Sequence, residues 1–327
     1  MRGTEVSADT VHQRISIRGC LNRLVRAIFR RLSDNRFIRT LLSLYFYRKW
    51  VLPCEATIAV CKRQETLDEF YWMGKLRQYA HIIDKGLHRQ DVSRGHGERV
   101  CRLAKNALTH IQSPWAMCDP SVKWAAEKIR LYEEYQSGES AGIKREYTGT
   151  TCKYEDLLNA IKTRRSIRYY LNKPVPTEIV EAIADVVDWS PTSCDRQPAR
   201  IYATNEPDTV RQCVELHAGA ACFAKIYAPL FLTFCADARL YALPAELAMP
   251  YIDVALGAQN CVLVAHTLGI SLTLLTCGNW KDWQEHKFRN LLGIPQHLRI
   301  VVSAVGGYPD GGAEVPARKN RELFTVG

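Results

Sequence analysis

Two short stretches carry residue types whose spacing suits chemistry. The first is Arg164-Arg165-Ser166-Ile167-Arg168. Three guanidinium groups and a hydroxyl within five residues suit a phosphate, because arginine offers a fixed fork of donors to phosphate oxygens. The second is the turn Pro191-Thr192-Ser193-Cys194-Asp195-Arg196-Gln197-Pro198. Its backbone and side-chain polar groups could read the edge of a flat heterocycle. One stretch would hold an anion and the other a ring, which is the layout of a mononucleotide site.

The elements around these stretches must position them. A helix from Lys153 to Thr163 delivers the arginine cluster. Pro174 and Pro176 interrupt, and a helical run from Thr177 to Trp189 follows, with Thr177 as its N-cap. Ala199–Thr204, Leu230–Cys235, Ile270–Thr276 and Arg299–Val305 are rich in β-branched or aromatic residues and read as strands. Between them lies a long apolar helix, Tyr251–Leu268, stopped by Gly269. Long helices between strands that need not be parallel predict an α+β layer fold.

Composition bounds the rest. The chain has 327 residues, of which 47% are hydrophobic and 24% charged, an ordinary globular balance with room for more than one domain. Twelve cysteines are scattered with no CxxC or CxC pair, so reduced thiols in a cytoplasmic protein are expected, and no metal site. The charge is uneven. Residues 1–50 hold eleven Lys/Arg against Glu5, Asp9 and Asp34, a net +8, whereas residues 151–327 balance at eighteen each. The overall pI of 9.0 therefore reflects the front of the chain, and no nucleic-acid partner is expected from it.

Three segments follow from these shifts: 1–50, basic and amphipathic; 51–150, a helical extension; and 151–327, the domain that holds both stretches. In the first, Leu21, Leu24, Val25, Ile28 and Leu32 recur at helical spacing among arginines. Residues 15–50 could pack on the third segment or lie on an anionic membrane surface as a peripheral contact; no run is long enough to span a bilayer. In the second segment, His81, Asp84 and Lys85 share a helix face ahead of Gly86, a candidate C-cap. They could donate a proton to a substrate or form a local polar network. Small and polar residues from Gly138 to Thr150 make the linker.

The chain resembles the nitroreductase superfamily. The carriers, in order, are the arginine cluster, the Pro191–Pro198 turn, Asp253–Asn260 running on to Ile270, Leu291–Pro295, Val305–Pro309 and Arg318-Lys319-Asn320-Arg321. The block Tyr79–Leu87 resembles a His-x-x-Glu-Lys-Gly-Leu motif found ahead of such domains in bacterial proteins linked with polysaccharide biosynthesis, with Asp84 in place of Glu. The resemblance implies a central antiparallel sheet wrapped by helices, and an intertwined homodimer with FMN at the subunit interface. It implies NAD(P)H as a transient electron donor; no GxGxxG follows a strand to hold a nicotinamide permanently. The residues it points to for FMN are Arg164, Arg165, Ser166 and Arg168; Pro191, Thr192, Ser193, Asp195 and Gln197; Thr276, Cys277 and Gly278; and Arg318, Lys319 and Arg321. No side chain is assigned a catalytic role, because the flavin carries the chemistry.

The acceptor is a small organic molecule, met by variable loops such as Tyr241–Pro250 and the helical extension. One departure stands out. Asp195 replaces the family's Asn; an amide both donates and accepts, whereas an ionised carboxylate only accepts. It would repel the electron-rich ring oxygens unless Arg196 neutralises it. Alternatives to a reductase are a flavin-fold scaffold or membrane-associated partner with little turnover, and a flavin oxidase or dehydrogenase acting on a biosynthetic intermediate.

Overall fold

The computed structural model describes residues 37, 41, 67–89, 93–138, 149–217, 228–241, 246–277, 280–320 and 323. The chain divides into two compact units, Met1–Leu52 and Pro53–Gly327, and the account below concerns the second. The basic segment 15–50, Gly278, Arg321 and most of the linker lie outside the described residues. Among the described residues, no helix is long and apolar enough to cross a membrane.

The second unit opens with helices α1 (Glu69–Leu87), α2 (Glu98–Thr109), α3 (Pro114–Cys118) and α4 (Pro120–Ser137). Local chemistry sets their starts. Asp68 N-caps α1 by accepting from the Tyr71 amide, and Asp119 caps α4, with Pro120 at its first position. The apolar stripe Met73, Leu76, Ala80, Ile83 and Leu87 of α1 packs on Cys101, Ala104 and Ala107 of α2 and on Val122, Ala125 and Ile129 of α4.

The rest is α5 (Tyr154–Thr163), α6 (Thr177–Ala184), β1 (Ala199–Thr204), α7 (Pro207–Leu216), β2 (Leu230–Asp237), α8 (Met249–Thr267), β3 (Ser271–Leu275), α9 (Asp282–Leu292) and β4 (Leu298–Gly307). The sheet has the order β1-β2-β4-β3, with every neighbouring pair antiparallel. The α+β expectation holds. β2 is buried at all eight positions, and its alternation assigns the two layers. Leu230, Leu232, Phe234 and Ala236 face α6 and α8; Phe231 and Cys235 face α7 and α9.

α8 lies against the 3₁₀ turn Val187–Trp189 through Gly257, where a Cβ would stand 2.4 Å from the Val187 carbonyl oxygen. Only glycine permits that approach. The outer face of α8 has no partner among the described residues: Ile252 and Leu256 are 46% and 45% exposed. α5 likewise buries no residue and exposes Tyr154, Leu157 and Ile161.

The helical extension is packed onto the sheet. Leu240 fills the space above Gly74, where a Cβ would fall 2.6 Å from it, and Tyr71, Leu240 and Tyr241 form a cluster of their own. Buried Arg239 donates to Asp237 (2.9 and 2.6 Å) and reaches across to Asp68 (2.9 and 3.2 Å). The cap of α1 is thus also half of an ion pair to the end of β2.

Three expectations need correction. Thr177 is the first residue of α6, and Pro176 occupies the cap position. The run Thr177–Trp189 is two pieces, because α6 ends at Ala184 and a separate 3₁₀ turn follows. α1 runs through Gly86 to Leu87, and His88 caps it. The helix expected to deliver the arginine cluster does so: Arg164 caps α5, and the chain then runs on extended, with Ile167 pinned to β3.

Candidate functional site

The arginine segment runs beside the start of β3. The Ile167 amide donates to Ser271 Oγ (3.3 Å), Ser271 Oγ donates to the Arg165 carbonyl (3.1 Å), and Thr273 Oγ1 donates to the Ile167 carbonyl (2.6 Å). Tyr170 Oη donates to the same carbonyl (2.6 Å), and burial pushes its hydroxyl up to about 12. Ile167 is therefore the buried peg of the segment, and Arg164, Arg165, Ser166 and Arg168 are left partly or fully at the surface. Their bonds are local: Arg164 to Ser166 Oγ, Arg165 to the carbonyls of Lys162 and Arg164, Arg168 to the Ser166 carbonyl. None of these partners is a carboxylate, and Arg165 Nε is buried without a partner among the described residues.

The Pro191–Pro198 turn lies elsewhere. Asp253, near the N-terminal end of α8 and 4% exposed, accepts from the Ser193 amide (2.9 Å), from Ser193 Oγ (3.0 Å) and from Tyr241 Oη (2.7 Å). That carboxylate holds the Tyr241 hydroxyl as a donor, and burial together with its charge raises the Tyr241 pKa. Cys194, Asp195 and Gln197 all have positive φ (55°, 53° and 48°), the only such non-glycine residues described. Left-handed backbone at a non-glycine residue is strained and persists only where surroundings impose it.

Several bonds impose it. The Gln197 amide donates to Thr192 Oγ1 and the Asp195 amide to the Thr192 carbonyl; Gln197 Nε2 donates to Asp195 Oδ1 (3.1 Å). Arg196 does not neutralise Asp195. Its guanidinium is buried, donating to the Ser193 carbonyl (3.1 Å) and pairing with Glu246 (2.8 Å).

Arg77 is 5% exposed. Its Nε and Nη2 donate to the Arg196 carbonyl (3.2 and 3.1 Å), Nη2 also lies 3.5 Å from the Gln197 carbonyl, and Nη1 donates to Ser121 Oγ (3.2 Å). Burial first, and Arg200 second, push it down to about 10, so it remains a cation at neutral pH.

The two stretches are not brought together within one chain. Thr163 Oγ1 meets His266 Nε2 at 2.9 Å near the end of α8, whereas Ser193 meets Asp253 near its start. Thirteen residues of helix separate those contacts, about 20 Å. Thr276 and Cys277 follow β3 and leave the sheet at the same end as the turn, but on the opposite edge strand, about 14 Å away across three strand spacings. Burial pushes the Cys277 thiol up to about 12, so it offers no thiolate. Arg318 and Lys319 lie in an exposed coil.

The triplet in α1 resolves into separate contacts. Asp84 pairs with Lys128 of α4 (2.7 Å) and lies near His88, which joins two helices locally, and Lys85 is exposed.

Three side chains that hold the turn were given no cofactor-site role by the sequence: Arg77, which it passes over, and Asp253 and Tyr241, which it names only as the starts of a helix motif and an acceptor loop. A signal existed for two of them. Arg77 stands between Met73, Leu76 and Ala80 on an apolar stripe, and Asp253 is the one carboxylate in an otherwise uncharged α8.

The pattern that defines the Nitroreductase family matches residues 161–308. A protein of Methanothermobacter thermautotrophicus described as "Putative NADH dehydrogenase/NAD(P)H nitroreductase" is 32% identical over 170 residues, covering 52% of this chain and 83% of the relative. A Bacillus subtilis protein named "FMN reductase [NAD(P)H]" is 25% identical over 183 residues, covering 51% of this chain and 70% of its own. A crystal structure from Parabacteroides distasonis bearing the same description as the first is 21% identical, covers 53% of this chain and 98% of that one, and superposes with a TM-score of 0.46. The chain belongs to the nitroreductase family. Helices α1 to α4, including Arg77, precede the matched region.

Proposed function

We propose that the protein is an FMN-dependent NAD(P)H oxidoreductase acting as a homodimer on a small organic acceptor. The observation that carries this is the arginine segment: three cations with no carboxylate partner among the described residues, one with an orphaned buried Nε, and one donating to the Ser166 hydroxyl. Buried donors are rarely left without acceptors, and a phosphate supplies several. Arg164, Arg165 and Ser166 would hold that phosphate. Arg168 would place a fixed cation beside the ring, and the backbone at Thr276 and Cys277 would border it. Arg318, Lys319 and Arg321 would add late phosphate contacts. When bound, FMN would supply the redox step, taking a hydride from NAD(P)H and passing electrons to the acceptor.

The second half of the site comes from a partner. A twofold axis perpendicular to α8 and passing near its middle would pair two copies antiparallel, with Ile252 and Leu256 on the shared face. The start of one helix would then lie beside the end of the other, bringing the Pro191–Pro198 turn of one protomer to the arginine segment of its partner. Pro191, Thr192, Ser193, Asp195 and Gln197 would face the ring from there. This pairing also covers the two apolar helix faces left open in one chain.

The test is an absorbance scan and mass spectrum of whatever co-purifies, followed by anaerobic addition of NADH or NADPH. Yellow protein bleached by either donor is expected; colourless protein that binds no added FMN refutes the proposal. A role in surface-polysaccharide biosynthesis, and peripheral membrane contact through residues 15–50, extend the proposal. Asp195 favours a second reading, a flavin-fold scaffold with little turnover, because its carboxylate cannot donate to a ring oxygen. Liposome co-sedimentation without NAD(P)H oxidation would favour that reading.

A further inference from the structure

We propose that Arg77, delivered by a helix outside the family match, is a positioning residue of the cofactor site: it clamps the Arg196 and Gln197 carbonyls and so fixes the Pro191–Pro198 turn. The proposal rests on that turn facing FMN. Three features single out Arg77. It makes two bonds to one main-chain carbonyl and reaches the next, a bidentate grip that a planar guanidinium can form and an ammonium cannot. The grip falls on the segment that holds all three strained non-glycine residues, where an outside hold is needed. The remaining bonds that hold the turn, through Asp253, Thr192, Arg196, Gln197 and Pro198, come from the turn itself, from α8, or from Glu246 and the Asp237 amide, all inside the family match.

The clamp is itself held. Arg77 Nη1 donates to Ser121 Oγ, and Ser121 Oγ and its amide donate to Asp119 Oδ1 (2.5 and 2.8 Å) at the cap of α4. A relay thus runs from the cap of α4 through Arg77 to the turn. It links the α1–α4 core to residues that would read the flavin. Arg77 also places a buried guanidinium on the carbonyl next in the chain to Asp195, the residue whose carboxylate suits the ring least. The helical extension therefore completes the site rather than merely preceding it.

Arg77→Met keeps the length and removes the donors; Arg77→Lys keeps the charge and loses the fork. Hydrogen exchange on the FMN-free full-length protein reads the clamp directly. The amides of Ser193, Asp195 and Gln197 should exchange roughly tenfold faster in Arg77→Met, with protection in α1, α2 and α4 retained. FMN affinity, followed by quenching of flavin fluorescence, should fall by about tenfold in Arg77→Met and by less in Arg77→Lys. The flavin reduction potential should move more negative in Arg77→Met and stay near wild type in Arg77→Lys, a split that lost packing alone would not give.

Turn amides and FMN affinity at wild-type levels in both variants would overturn the proposal. Protection lost evenly over α1, α2 and α4 in both would overturn it too, making Arg77 a packing residue only. Wild-type protein that binds no FMN would refute the cofactor reading, and the role given to Arg77 with it, even where the exchange data show the clamp.

Discussion

Replacing Asp253 offers a sharp test of how the turn is built. The carboxylate receives three hydrogen bonds, from the Ser193 amide, Ser193 Oγ and Tyr241 Oη, in a site that is 4% exposed. Asp253→Ala strands two donors whose acceptor among the described residues is this carboxylate, the half-buried Ser193 amide and the buried Tyr241 phenol. A hydrogen bond to a buried charged group contributes about 1.5–3 kcal/mol, and relief of the carboxylate's own desolvation offsets part of the sum. The net loss should be about 4 kcal/mol, a fall in Tm of roughly 8–16 °C for a unit of this size. Asp253→Asn behaves differently. Its one carbonyl oxygen can serve the Ser193 amide and Tyr241, while its amide donates to Ser193 Oγ, which can accept as well as donate. That variant should lose no more than about 1.5 kcal/mol. Thermal unfolding of both variants, with FMN affinity measured alongside, decides the matter. An Asn variant as unstable as the Ala variant, or an Ala variant within about 1 kcal/mol of wild type, would refute the reasoning.

Three further outcomes are expected. Burial holds His217 at about 4, against an ordinary 6.5, while its Nδ1 meets the Cys213 carbonyl and its Nε2 meets Ser303 Oγ. As pH falls from 6.5 the unfolded chain takes up a proton that the folded site refuses, so stability should drop by about 3 kcal/mol by pH 4; denaturant midpoints across that window check it, and His217→Gln should flatten the slope. Leu256→Arg, on the open face of α8, should give a monomer in sedimentation and weaken FMN binding with it, whereas a dimer that persists would rule out pairing through α8. Asp195→Asn should tighten FMN roughly fivefold by restoring a donor, measured by fluorescence quenching, because one added neutral hydrogen bond contributes about 1 kcal/mol.

Much of the sheet was legible because its strands are rich in β-branched and aromatic residues and punctuated by turns: β1 falls on its expected residues, and β2 and β4 only run further. The arginine segment was legible for its density of one residue type, but its conformation was not. A helix there would turn Ile167 away from β3, and the bonds from Ser271 and Thr273 that hold it extended come from residues over a hundred positions later. Arg77 was illegible for a related reason. Its bonds to residues 196 and 197 span about 120 positions, and nothing in a local window says that an arginine on an apolar stripe has carbonyls waiting for it. Asp195 was read with the wrong neighbour, since adjacency in sequence favoured Arg196 while the fold sent that side chain to Glu246.

The pairing of Asp68 with Arg239 has a practical consequence for anyone who trims the protein to the length of its relatives. Excising everything before α5 would take away the second acid facing a guanidinium that is almost sealed from water, and would bare the two carbonyls Arg77 covers. The shortened piece would hold the full sheet and every family motif, yet carry a half-matched cation and an unbraced bend where its larger parent has neither.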